Sequence, residues 1–476
     1  MLFIDGSWVP AASGRTFESR NPATGEVLGE VADAGAEDAK AAIGAARTAF
    51  RSWSKLTPHQ RSTHLYDAWR IMTERREELA RLMTSEQGKP LRMARNEVGY
   101  AADFLLWFAE EAKRVYGSTI PSARADQRFL TMYQPVGVAA AITPWNYPIS
   151  MLTRKIAPAL AAGCTIVVKP AEQTPLCAVE TIKVFEAAGL PAGVVNLVPS
   201  GDPVPVADEF LTNWQVRKIT FTGSTEVGKQ IAERAAGQLK RVSLELGGHA
   251  PFIVFSDADP VHAARGAALV KFLNTGQACI CPNRLFVHRS IAEPFVSELS
   301  ARVAKLQPGN GLTDGVTVGP LIDEAAMAKM EAQVSDATGK GAALAVGGHR
   351  LSDEPFDAGT FYAPTVLTEV TPDMRIYREE TFGPIAPVVV FEDEDEVVEM
   401  ANDTTYGLAS YLYTNDLKRA FTVAEGLDFG IIGINDINPT SASVPFGGIK
   451  ESGIGREGAR EGILEYLDQK VVGIAL

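Results

Sequence analysis

The 476-residue chain reads as an α/β protein of two units, each built on a mostly parallel sheet. Three observations lead there. Strand-like and helix-like segments alternate from about residue 138 onward, and the alternation restarts after "LELGG" (residues 244–248). The chain also exceeds the roughly 250–300 residues at which one hydrophobic core stops growing.

The elements follow in order. Ala36 to Trp53 is an alanine-rich amphipathic helix. Gln60 to Thr84 carries Leu65, Ala68, Met72, Leu79 and Met83 close to a helical period, and Asn96 to Tyr116 continues with Phe104, Leu105, Phe108 and Ala112. Phe129 to Ala140 reads as two strands parted by a turn at Pro135 to Gly137. Next come the strand "VAAAIT", the helix "TRKIAPALAAG" ending at Gly163, the strand "TIVVKP", the helix "TPLCAVETIKVFEAAG" and the strand "VVNLVP". "KITFTG" followed by "STEVGKQIAERAA" repeats the unit. Such crossovers place helices on both faces of a parallel sheet. The second unit, about residues 250 to 435, opens with the strand "APFIVF", a helix from Val261 to Asn274 and the strand "NRLFVH". The apolar tail "YLDQKVVGIAL" is β-prone, and an edge strand at a terminus invites pairing with another subunit.

Composition narrows the function. Apolar residues make up 46% and charged residues 22%, ordinary for a globular protein, and the formal charge of −13 argues against nucleic acid as a partner. No apolar run is long enough to suggest a membrane span, and Met1 to Pro10 lacks the basic and apolar regions of a secretory signal. The four cysteines, Cys164, Cys177, Cys279 and Cys281, are too few for a disulfide scaffold. A reducing, cytoplasmic compartment is expected, with a cleaved organellar presequence the other possibility.

Several segments carry candidate chemistry. The loop "GSTEVG", Gly223 to Gly228, follows a strand. Its small residues allow close approach of a phosphate, and Ser224 can cap the next helix. It is not the usual G-x-G-x-x-G, so a plain strand-to-helix turn reads as well. Cys279, in "NTGQACICPNR", has the small neighbours that grant a nucleophile access; it would also need a lowered pKa and a nearby base, and an inert buried thiol is the other reading. Cys279 and Cys281 form a C-x-C pair with no further ligands at short spacing, so no metal site is expected. Glu245, in "SLELGGHAP", is either a salt-bridged turn residue or a desolvated general base. Asn146, in "TPWNYP", is either a turn asparagine or a donor to an oxyanion.

Taken together, "ITPWNYP", "VVKPAEQTP", "FTGSTEVG", "LELGGHAP", "NTGQACICPNR", "EETFGPIAPV" and "PFGGIKESGIGREG" resemble, in order and over nearly the whole chain, the aldehyde dehydrogenase superfamily. The resemblance implies a Rossmann-type cofactor domain (1–117 and 138–249), an α/β catalytic domain (250–435) and bridging segments (118–137, a hairpin, and 455–476). It implies Cys279 as nucleophile, Glu245 as general base and Asn146, with the Cys279 backbone N–H, as oxyanion donor. For the cofactor it implies Thr143, Pro144, Trp145, Lys169, Glu172, Gly223, Ser224, Leu246, Glu380 and Phe382. Lys169 and Glu172 would meet the adenosine ribose, where the Glu172 carboxylate favours NAD over NADP. The C-terminal strand would join a partner's sheet in a homodimer or homotetramer.

The Cys-x-Cys pair and Arg154, eight residues after Asn146, are most similar to succinate-semialdehyde dehydrogenases. Arg154, Thr440 and Ser441 would bind the substrate's far end, and Cys281 would be a redox partner of Cys279. Those enzymes usually carry a second arginine six residues before the cysteine, where this chain has Leu273. The implied reaction is NAD(P)-dependent oxidation of a short semialdehyde to its acid through a thioester. The competing substrates are other polar or neutral aldehydes, such as 2-oxoglutarate semialdehyde or glycolaldehyde. A coenzyme A-acylating enzyme is disfavoured by Glu245, and a non-catalytic protein on the same fold by the complete set Cys279, Glu245, Asn146 and Glu380.

Overall fold

The computed structural model describes residues 1–476. Five parallel strands form the centre of the first sheet, in the order Val195–Leu197, Thr165–Lys169, Val138–Ile142, Val216–Thr222, Arg241–Glu245. The chain builds outward in one direction from Val138–Ile142, then returns to its other side with Val216–Thr222. At such a reversal the helices leave on opposite faces, and a crevice opens at the carboxyl ends of the strands. The hairpin Leu2–Ile4/Ser7–Val9 extends one edge and Gly453–Ile454 the other, all antiparallel. These short strands went unread in the sequence because three residues or fewer show no period.

The second sheet orders Ala343–Val346, Thr365–Thr368, Ile385–Phe391, Pro282–His288, Ala250–Val254, Ala409–Tyr413, Ile431–Ile434, all parallel except the first. The central strands are continuous apolar runs because both their faces are covered: Thr165–Lys169 and Ala250–Val254 are buried at every position. Four residues, Leu246 to His249, connect the strand Arg241–Glu245 of the first sheet to the strand Ala250–Val254 of the second.

Three helices differ from the sequence reading. The segment 60–84 is two helices, Pro58–Glu74 and Arg76–Gln87, broken at Arg75 (φ −88°, ψ 12°). The apolar period hid the break because Leu65, Met72, Leu79 and Met83 all enter one core. The next helix starts earlier, at Leu91, and ends at Glu111 with one 3₁₀ turn after it. The helix expected over 261–274 stops at Lys271 and gives way to a tight turn, Leu273–Gly276.

Ser118–Ile120, Gln127–Pro135 and Leu467–Ala475 make a separate three-stranded antiparallel sheet. The tail strand pairs with Gln127–Pro135 of its own chain, from Leu467↔Pro135 to Ala475↔Gln127, and its outer edge stays free. No helix is long and apolar enough to cross a membrane.

Candidate active site

The carboxyl ends of the first sheet face the loop that follows the Pro260–Lys271 helix of the second. Cys279 lies on that loop, Glu245 ends the Arg241–Glu245 strand, and Asn146 lies on the loop after Val138–Ile142. Asn146 is buried, and its Nδ2 donates to the Gln277 carbonyl at 3.1 Å, two residues before Cys279. The double glycine of "LELGG" has a steric reason. A Cβ on Gly248 would stand 2.2 Å from the Cys279 carbonyl oxygen, so only glycine lets the two loops meet. Gly447, in "PFGG", leaves similar room: a Cβ there would lie 2.8 Å from Glu245 Oε1.

The approach to the cysteine is strained. Asn274 (φ 48°), Thr275 (φ 59°) and Gly276 (φ 74°) are consecutive left-handed residues. For a β-branched residue this is costly and persists only where surroundings enforce it. Thr275 Oγ1 donates to the Gly319 carbonyl and accepts from the Gly319 N–H, which enforces it here.

Electrostatics bear on both readings of Cys279. Burial pushes the Cys279 thiol up to about 12, not down, with the Glu380 and Glu245 carboxylates adding to the effect and Arg154 opposing it. Glu245 is held well above the usual carboxylate range, first by burial and then by the Glu457 carboxylate. Its Oε2 is buried without a hydrogen-bond partner, as is Oε2 of Glu457. Both effects disfavour the charged carboxylate, the form that can accept a proton.

Arg154 and Cys279 line one cavity of about 620 Å³, together with Tyr100, Leu273, Thr440 and Phe446. Arg154 is 2% exposed, lies over the Phe446 ring at 4.0 Å and donates to Tyr100 Oη at 3.0 Å. A protein carboxylate lies near it: its Nε is 3.5 Å from Glu457, which also takes Lys155 at 2.5 Å. Thr440 reaches the cavity wall, whereas Ser441 is absent from it and pairs with Ser443 Oγ at 2.9 Å. Cys281 is buried, with its thiol on the Val270 carbonyl at 3.3 Å.

The residues assigned to a dinucleotide follow adjacent strand ends, at and beside the crevice. Thr143, Pro144 and Trp145 follow Val138–Ile142, Lys169 ends Thr165–Lys169, and Gly223 and Ser224 follow Val216–Thr222. Ser224 caps the Thr225–Ala236 helix, accepting from Val227 N–H at 3.3 Å, and its helix packs so closely that a Cβ on Gly228 would meet Leu246 at 2.3 Å. Glu380 Oε1 accepts the Gly248 N–H at 2.8 Å, and the Phe382 ring meets Trp145 edge-on at 5.5 Å. A helix start facing the crevice, a buried amine and a fixed carboxylate fit a phosphate-linked dinucleotide. One assignment changes: Lys169 Nζ holds Glu172 at 3.0 Å, so the Glu172 charge is compensated. No cluster of three or more His, Cys, Asp or Glu side chains is arranged to hold a metal ion.

Sequence reasoning missed the charges behind these residues. Lys89, Glu97, Lys155 and Glu457 are all buried. Isolated charged letters give no signal of burial; the glycine-flanked "GREG" was the one available hint.

The model of the aldehyde dehydrogenase family matches residues 8–472. Glutarate-semialdehyde dehydrogenase of Pseudomonas aeruginosa is 51% identical over 470 residues, covering 98% of this chain and 96% of that protein. Succinate-semialdehyde dehydrogenase GabD of Escherichia coli, named for NADP(+), is 50% identical over 473 residues, covering 99% and 97%. The crystal structure of succinate-semialdehyde dehydrogenase from Burkholderia pseudomallei superimposes with a TM-score of 0.98 at 47% identity, covering 100% and 98%. The chain belongs to the aldehyde dehydrogenase family, and is an oxidoreductase that takes an aldehyde to its acid with NAD(P).

Proposed function

We propose that the substrate is a short semialdehyde whose distal carboxylate reaches Arg154, with succinate and glutarate semialdehydes as the leading candidates. The supporting observation is that Arg154 and Cys279 line one cavity. Arg154 keeps donors for a carboxylate: Nη1 has only the weak acceptor Met151 Sδ, at 3.7 Å. Leu273 lines the same cavity, as do Arg76 and Arg92.

The chemistry follows from the chain's own groups. Cys279 Sγ gives its thiol proton to solvent water and, as thiolate, attacks the carbonyl carbon. Asn146 Nδ2 and the Cys279 backbone N–H stabilise the oxyanion. A bound nicotinamide cofactor supplies the acceptor for the hydride that the tetrahedral centre loses. Glu245, as carboxylate, takes a proton from water; the water oxygen attacks the thioester, the C–S bond breaks, and the acid leaves. Under peroxide, a Cys279 sulfenic acid would condense with the Cys281 thiol, with loss of water.

The compensated Glu172 and the NADP(+)-named relative favour use of both cofactors over strict NAD dependence. We read residues 1–117 and 138–249 as the cofactor domain, 250–435 as the catalytic domain, and 118–137 with 455–476 as bridging segments of a homodimer or homotetramer. The four free thiols fit a reducing compartment such as the cytoplasm.

Steady-state kinetics test the substrate. Arg154→Leu should raise KM for succinate and glutarate semialdehydes by roughly tenfold or more, the scale of a lost charge-assisted hydrogen bond. A neutral aldehyde of similar length should change little. Equal responses would make Arg154 a structural partner of Glu457 and remove the semialdehyde assignment.

A further inference from the structure

Asn146 is positioned by its backbone as well as by its side chain, and the groups that hold the backbone come from outside the site. Lys89 lies on the short segment between the Arg76–Gln87 and Leu91–Glu111 helices, and Glu97 two turns into the second. Both side chains are 1% exposed, and they pair at 2.5 Å. Lys89 Nζ then donates to the Asn146 carbonyl at 2.7 Å and sits over the Tyr147 ring at 4.1 Å. The other oxygen of Glu97 accepts the N–H groups of Ile149 and Ser150, at 3.1 and 3.2 Å, where the Ser150–Ala162 helix begins. One ion pair therefore grips the Asn146 loop on both sides of its turn.

A second grip comes from the nucleophile loop. Asn274 Nδ2 donates to the same Asn146 carbonyl at 2.9 Å and to the Gln277 carbonyl at 3.2 Å, the oxygen that also receives Asn146 Nδ2. Gln277 is itself fixed, accepting the Ile322 N–H at 2.9 Å. The Asn146 carbonyl thus receives two donors, one charged, from two separate elements. Stability alone does not call for this arrangement. A buried ion pair replaced by apolar groups of equal size is often neutral or stabilising, so its value lies in fixing a geometry.

We propose that the buried Lys89–Glu97 pair is a positioning device for the oxyanion donor, holding the Asn146 loop in register with the Cys279 loop so that the Asn146 amide meets the developing charge. The proposal rests on the reading of Asn146 as oxyanion donor. Lys89 and Glu97 touch no reacting atom in it; they act through the Asn146 backbone. Electrostatic stabilisation depends on donors already in place when charge develops. A loose amide would still bind the aldehyde but would slow its attack.

The test is a double-mutant cycle read by single-turnover NADH formation at saturating cofactor and aldehyde. Asn146→Ala should slow hydride transfer by about 10²–10³-fold, the usual effect of a lost oxyanion donor. Lys89→Met/Glu97→Gln removes both charges together and keeps the backbone acceptor, and should slow the same step by about tenfold or more. Combined with Asn146→Ala it should cause no further loss, because its effect passes through that amide. A merely structural role would multiply the two losses. If Asn146→Ala leaves the rate unchanged, the oxyanion reading fails; if that variant is slow but the pair variant matches wild type or multiplies with it, the positioning proposal fails alone. Should the pair variant not fold, Glu97→Gln by itself carries the same cycle.

Discussion

The roles proposed for Glu245 and Cys279 are separable by single substitutions. Cys279→Ala should abolish turnover, since no other group can form the thioester. Glu245→Gln should keep hydride transfer and slow thioester hydrolysis by roughly 10²–10⁴-fold, giving a burst of NADH before a slow steady state; stopped-flow absorbance checks this. The pH dependence follows from burial. Glu245 must be ionised to activate water, and its pKa is raised, so hydrolysis should fall as pH drops through that raised value. The Glu457 carboxylate contributes to the rise. Glu457→Gln removes that like charge, favours ionised Glu245 and should move the acid limb of kcat to lower pH. At this scale the sequence was informative in pointing to the "LELGG" and Cys279 segments, which meet in the structure at Gly248. It was silent on Glu457 and Lys89, because a charged letter does not say whether its surroundings are water or protein. Nor could it say how far the Cys279 thiol is desolvated, since that depends on residues far along the chain.

At the level of elements, the parallel strands were legible because burial on both faces leaves unbroken apolar runs. The helix break at Arg75 was not, since both halves face one core and the apolar period runs through it. Nor was the Asn274–Gly276 turn, where left-handed backbone is enforced by bonds to Gly319 rather than by local residue preference. The end of the Thr165–Lys169 strand carries a further test. Lys169 compensates Glu172 across a distance of 3.0 Å. Without the lysine, Glu172 would face the extra phosphate of NADP alone. Two like charges about 4 Å apart cost roughly 4 kcal/mol at an effective dielectric near 20, and screening leaves a part of that. Lys169→Met should therefore shift the ratio of kcat/KM values toward NAD by about tenfold or more, measured with both cofactors under one set of conditions.

For the whole molecule, the two-unit architecture was readable from the restart of strand–helix alternation after residue 248. The pairing of Leu467–Ala475 with Gln127–Pro135, more than three hundred residues away, was not readable from local pattern alone. That strand leaves its outer edge free, with Val471 61% and Ile474 39% exposed. A bare, partly apolar edge is a template for another chain. Val471→Asp should weaken self-association, and analytical ultracentrifugation should show the mass falling toward that of one chain while the monomer stays folded by circular dichroism.

The four-residue link from Leu246 to His249 has a consequence for how the molecule tolerates disturbance. Its first neighbour is Glu245, the proposed base, and Gly248 within it packs against the Cys279 carbonyl. Hinging between the two sheets is therefore not absorbed by a slack tether far from the chemistry. It would appear directly as misalignment of the two groups that must act on the same thioester. On the proposed roles, mechanical looseness at this link and loss of catalysis would be one event.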